Sequence, residues 1–150
     1  MVLGRIIAVM IVGVCGAILG SGDAVADPAF IEDMKKAKAD DARAQYRVGL
    51  AYAYGQGAEN NSDEAMYWYC RAAVRGNATA QYNYGYAFHW GKNAPLNRKE
   101  AAKWFHSSAN QGHAAPMYYL ATYYQNGSGA EGEVPKDLIE SYKWLHVSLE

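Results

Sequence analysis

The chain has 150 residues, with 14 Lys and Arg against 15 Asp and Glu, a net charge of −1, and two cysteines. Such a near-neutral balance leaves no electrostatic footprint for nucleic acid or for an anionic membrane surface. The length suits one modest domain, and two cysteines are too few for a disulfide scaffold.

Residues 1–26 fall into three parts. MVLGR carries one positive charge, IIAVMIVGVCGAIL is an apolar run short for a bilayer span, and SGDAVAD closes on Ala24-Val25-Ala26. This predicts a cleaved secretory signal peptide over 1–26. The expected product is exported, periplasmic or secreted, with no stable membrane insertion once the leader is gone. Cys15 follows Val12-Gly13-Val14, a poor site for lipid attachment. The remaining body keeps only Cys70, so its stability must rest on packing.

Residues 27–40 predict a leading capping helix, with Asp27 as its cap and Pro28 in its first turn. Phe30, Met34 and Ala37 would cover the open face of whatever follows.

From residue 41 the chain repeats itself. ARAQYRVGLAYAYGQG (42–57), ATAQYNYGYAFHWGKN (78–93) and AAPMYYLATYYQNGSG (114–129) superpose at a step of 36 residues. Tyr46, Tyr82 and Tyr118 share one position, and Gly49 and Gly85 share another with Ala121. The following segments, NSDEAMYWYCRAAVRG (61–76), NRKEAAKWFHSSANQG (97–112) and DLIESYKWLHVSLE (137–150), superpose on Trp68, Trp104 and Trp144 after a four-residue insertion in the third loop. In these second segments, small and apolar residues recur at spacings of a helical stripe, as in Ala65, Trp68, Tyr69, Ala72 and Ala73. Asn61 with Glu64, Asn97 with Glu100, and Asp137 with Glu140 resemble capping boxes. Gly76 and Gly112 suit the left-handed residue beyond a helix end.

The stretch AQYNYGYAFHWGK (80–92) alternates like a strand, but its repeat partners keep the register without the alternation. As a helix it sends Tyr84 and Phe88 inward, sets Tyr82 against a neighbouring hairpin, and brings Tyr86 and Trp90 out on one face.

The unit is thus a helix-turn-helix hairpin, repeated at about 41–76, 77–112 and 113–150. The expected fold is all-α, a short right-handed α-solenoid in which each hairpin buries its face on the next. The three tryptophans are expected in the core.

These motifs closely resemble Sel1-like repeats, relatives of tetratricopeptide repeats. The carriers are ARAQYRVG and ATAQYNYG, the loops GQG and GSG, EAMYWY and EAAKWF, and the closing AAVRG. The third copy departs, with Pro116-Met117 for Ala-Gln, Ala121 for Gly, a longer loop, and no closing glycine before Glu150. The resemblance implies a non-enzymatic adaptor, scaffold or regulator that binds a protein or peptide on its concave face, without a cofactor. It also implies that the first helices line that face.

On the first helices, the positions that stay similar between copies (Ala44, Gln45, Val48, Gly49, Tyr52) fill one arc, and the variable ones fill the opposite side. The expected contact surface is therefore Arg43, Arg47, Tyr54, Asn83, Tyr86, Trp90, Tyr119 and Asn126, a set rich in the Arg, Tyr and Trp of binding hot spots.

His89, His106, His113 and His146 lack the paired spacing of zinc ligands. Glu131, Glu133 and Asp137 lack the calcium-loop pattern. Cys70 and the serines stand in no nucleophile motif. Two other functions compete with the adaptor. Some cysteine-rich proteins with similar repeats bind or hydrolyse β-lactams, but they carry a cysteine pair in each repeat, which this chain lacks. The aromatics could also stack on cell-wall glycan.

Overall fold

The computed structural model describes residues 27–127 and 134–147. The expected leader, Glu131 and Glu133 lie outside those residues. The described helices are α1 (Pro28–Lys38), α2 (Ala42–Tyr54), α3 (Ser62–Val74), α4 (Ala78–Trp90), α5 (Arg98–Ala109), α6 (Ala114–Asn126) and α7 (Leu138–Val147). Each packs chiefly on its neighbours in the chain. The result is an α-solenoid of three hairpins, α2–α3, α4–α5 and α6–α7, with α1 ahead of them.

Local chemistry sets the helix starts. Asn61 accepts from the Asp63 and Glu64 amides, each at 3.1 Å. Asn97 accepts from Glu100 at 2.9 Å, and Asp137 from Ile139 at 2.9 Å and Glu140 at 3.1 Å. Only this half of the capping box is formed. The caps' own N–H groups donate to Tyr52, Phe88 and Tyr124 carbonyls at 2.9, 2.9 and 2.8 Å, which closes each hairpin. Glu100 and Glu140 pair instead with Lys103 at 2.7 Å and Lys143 at 2.6 Å. Asp41 and Asn77 cap α2 and α4 in the same way, at 2.8 and 2.9 Å, whereas His113 before α6 makes no side-chain cap bond.

The leading helix is half a repeat. Asp40 lies 36 residues before Gly76 and 72 before Gly112, and all three have positive φ: 70°, 88° and 82°. Ala37 stands at the register of Ala73 and Ala109, and all three are fully buried. Gln45 donates its side-chain amide to the Ala37 carbonyl at 3.1 Å, and Gln81 donates to Ala73 at 3.0 Å. The glutamine of the Ala-Gln-Tyr motif thus ties α2 and α4 each to the helix before it. Such a buried amide is stable only because it finds this carbonyl. At the third copy Met117 fills the position with apolar volume, 4% exposed.

The core runs along the stack in three groups. Ala37, Ala44, Val48 and Trp68 join Phe30 and Met34. Ala72, Ala73 and Ala80 join Tyr46, Tyr84 and Trp104. Phe105, Met117, Leu120 and Tyr123 form the largest group, with Phe88 and Trp144 against it. The small residues let helix backbones approach closely. A Cβ added at Gly49 would lie 2.7 Å from the Tyr69 ring.

Candidate functional site

The first helices place the variable residues on one side of the stack, where a cleft of about 470 Å³ opens between the first and second hairpins. Tyr54 stands on its α2 wall, and Asn83 and Tyr86 on its α4 wall, with Tyr119 reaching in from α6. Four of the eight expected contact residues are thereby brought together. The other wall comes from the second helix of the first hairpin, through Ala65, Met66 and Tyr69. Sequence reasoning missed this wall because it compared only first helices. Lys92 and Asn93, from the loop after α4, complete the rim, and Lys92 is the one charged side chain among the described residues that line the cleft.

The remaining expected residues lie outside the cleft. Trp90 continues it as a ledge, 59% exposed, with its ring 6.1 Å from Tyr86 and 4.7 Å from His89. Arg43, near the start of α2, and Asn126, at the end of α6, are both exposed. Arg47 is already engaged. Its guanidinium grips Asp33 of α1 in a two-pronged ion pair at 2.8 and 2.5 Å, and this pairing holds the Asp33 carboxyl below its usual range. Its charge therefore braces the leading helix.

Aromatic contacts hold the face. Tyr82 lies 5.9 Å from Phe105, 5.3 Å from His113 and 6.2 Å from Tyr119. Tyr119 stacks on Phe105 at 5.1 Å. His89 hydrogen-bonds the Tyr123 hydroxyl and stands 5.0 Å from Tyr119. Pairs of this kind contribute about 0.5–1.5 kcal/mol beyond their buried area. They set the rings rigidly, so little side-chain entropy is lost when a partner arrives.

Burial tunes the titrating groups. It raises the Tyr46 and Tyr69 phenols, an effect that the Asn83 side chain facing both partly opposes. Burial, with Tyr119 adjacent, pushes Tyr82 up to about 12. His89 is lowered by burial and by the charge of Arg98. At neutral pH the face therefore offers neutral hydroxyls and amides around aromatic rings, with Lys92 at the rim.

One contact has the look of catalytic machinery. Ser108 Oγ lies 2.9 Å from His113 Nδ1. However, Ser108 is fully buried and donates to the Ala78 carbonyl at 2.7 Å, so its proton is committed to a tie between hairpins. Among the described residues no group of three or more His, Cys, Asp and Glu side chains could hold a metal ion, and no described helix is long and apolar enough to cross a membrane. Cys70 is free and half-buried, near the Tyr84 hydroxyl, whose pKa burial and this thiol push up to about 12.

Comparison with known proteins gives the same architecture. The Sel1 repeat model matches residues 42–77, 78–113 and 117–148. A Sel1 repeat protein from Oxalobacter formigenes superposes with a TM-score of 0.72 at 28% identity, over 79% of this chain and 47% of its own. A protective antigen present in uropathogenic Escherichia coli strains, displaying an SLR fold, superposes with a TM-score of 0.70 at 28% identity, over 80% of this chain and 25% of its own. The chain thus spans about half and a quarter of the lengths of these two structures. No curated protein matches it significantly. With three matched repeats covering most of its length, the chain belongs to the Sel1 repeat family, whose repeats generally mediate protein–protein interaction.

Proposed function

We propose that this protein is an exported, non-enzymatic adaptor that seats a protein or peptide segment in the cleft between its first two hairpins and against the Tyr86–Trp90 ledge. One observation carries the reading. Two large aromatics, Tyr86 at 37% and Trp90 at 59% exposure, stand at the edge of a cleft lined also by the buried Tyr69 and the half-buried Tyr82 and Tyr119. Exposed, rigidly mounted Tyr and Trp beside a preformed concavity are what a hot spot requires. Export is supported by the charged, apolar and small-residue order of residues 1–26.

The mechanism is docking onto a preformed surface with little change of shape. Trp90→Ala with Tyr86→Ala removes two exposed rings, so the fold should melt within a few degrees of the parent protein. Crosslinking in the native envelope, followed by identification of the captured protein, should lose its partner with this double variant and keep it with Arg43→Ala. A captured partner indifferent to Tyr86 and Trp90 would place the contact surface elsewhere.

A further inference from the structure

Acidic residues avoid one side of the stack. The first helices α2, α4 and α6 contain no Asp or Glu, whereas Asp63, Glu64, Glu100 and Glu140 stand on the second helices. Among the described residues that line the cleft, none is a carboxylate. Tyr54, Tyr69, Tyr82, Tyr86 and Tyr119 bring hydroxyls to it. Burial raises the Tyr69 and Tyr82 phenols, so both stay protonated and able to donate. The Asn83 amide already faces Tyr46 and Tyr69. The cleft is therefore rich in donors and poor in strong acceptors.

That balance discriminates between ligands. An ordinary extended peptide brings one N–H per residue, and each N–H that loses water without meeting an acceptor weakens binding. A sugar brings many hydroxyls, each a donor as well as an acceptor. A cationic segment would meet Lys92 with no carboxylate to offset it. Proline has no backbone N–H. A proline-rich segment in the polyproline II form makes no internal hydrogen bonds and keeps its carbonyls outward, so it offers acceptors to a surface of donors.

The rings suit the same ligand. Tyr86 is inclined to Trp90 by 59° and to Tyr119 by 86°, with 6.1 Å between centroids in each pair. Each pair forms a corner between steeply inclined rings. Ring faces are negative, and the C–H bonds beside a proline nitrogen are their positive counterpart. Aromatic-lined grooves of this kind hold polyproline II segments, which are stiff before they bind.

We infer, resting on the docking role proposed for this cleft, that the docked segment is a proline-rich polyproline II stretch with an acidic residue at one end. Its prolines lie against Tyr86, Trp90 and Tyr119, and its carboxylate pairs with Lys92. Lys92 is exposed, two residues beyond Trp90, so its charge fixes the register of the segment more than the affinity.

The probe is a capped octaproline peptide with one terminal glutamate, titrated into the isotope-labelled protein and followed by amide and indole NMR resonances. The chain has four tryptophans, and Trp90→Phe identifies the Trp90 indole N–H. That resonance should shift saturably, and Tyr86→Ala should abolish the shift. Lys92→Glu should weaken the glutamate-ended peptide about two- to fivefold and favour a lysine-ended one. Resonances far from the cleft should match the parent protein in both variants, which separates lost binding from lost folding. A peptide of alanine, glycine and serine with the same glutamate should leave the Trp90 indole unmoved, as should chitotetraose. A control that shifts it as far as octaproline overturns the inference, in favour of a sequence-blind peptide site or a glycan site. With no shift from any proline peptide at millimolar concentration, the ligand class falls; a crosslinked partner that still depends on Tyr86 and Trp90 would then leave the docking role standing, and a partner indifferent to them would remove both.

Discussion

Gly49 tests the account of how the hairpins close. A methyl group there would sit 2.7 and 2.8 Å from Cδ1 and Cε1 of Tyr69, and 3.4 Å from the Ala65 carbonyl oxygen. Carbon atoms prefer about 3.5–4.0 Å, so the ring would have to retreat by nearly an ångström. It has little room, being 8% exposed with Tyr46 at 5.9 Å. Overpacking of this kind costs about 1–3 kcal/mol. Alanine in a helix interior gains back about 1 kcal/mol over glycine. Gly49→Ala should therefore destabilise by about 1 kcal/mol net. The third hairpin shows the alternative solution, because Ala121 takes the glycine position and Leu145 the tyrosine position. Gly49→Ala with Tyr69→Leu copies that pair into the first hairpin. Urea unfolding followed by circular dichroism should then give a favourable coupling of about 1 kcal/mol or more, in the range seen for contacting residues. Additive effects, or a Gly49→Ala protein more stable than the parent, would refute the claim that Tyr69 dictates glycine.

Two further outcomes follow from the same packing. Burial lowers the pKa values of His89, His106 and His113; a histidine depressed in the folded state contributes stability that is present above its unfolded pKa of about 6.5 and is lost as pH falls below it. The unfolding free energy from urea titration should accordingly fall between pH 6.5 and 5, by at most about 1.4 kcal/mol per pH unit for each histidine, and His106→Gln should flatten the slope; a stability that rises towards pH 5 would contradict it. Asp40 bonds Arg71 at 2.7 Å and Arg75 at 2.6 Å from a left-handed backbone with φ of 70°. Asp40→Gly and Asp40→Ala lose the same partly exposed pairs, but only alanine keeps the backbone strain of about 1 kcal/mol, so the glycine variant should melt higher, and equal melting would remove strain from the account.

Much of the fold was legible because each device recurs at one register. Trp68, Asn61 and Gly76 mean little singly, but their return with Trp104, Asn97 and Gly112 specifies a hairpin. The same comparison overrode the false strand signal of residues 80–92. Tyr84 and Phe88 do pack inward, and Tyr82 does meet Tyr119 of the next hairpin. Less visible was the status of the leading helix as half a repeat. Its register residues are Glu32, Asp33 and Lys36 where the inner copies have aromatic and small ones, and Asp40 stands where they have glycine. Charged residues at these stacking positions erase the pattern that would reveal the repeat.

The groove was less legible for a related reason. Variation between copies marks residues released from stacking, but it does not say whether a neighbour has since claimed them. Arg47 and Tyr86 vary equally, yet Asp33 binds Arg47 because the leading helix lies beside the first hairpin alone. Asn83 varies too, and it faces Tyr46 and Tyr69 of the preceding hairpin. Conversely, Tyr69 belongs to the stacking set and still lines the cleft, since a ring buried at its edges can show a face to a concave wall. In a solenoid, core and binding surface are not separate residue classes. One row of rings holds adjacent hairpins together and shapes the cleft between them, so a change such as Gly49→Ala, which displaces Tyr69, should alter binding and stability together.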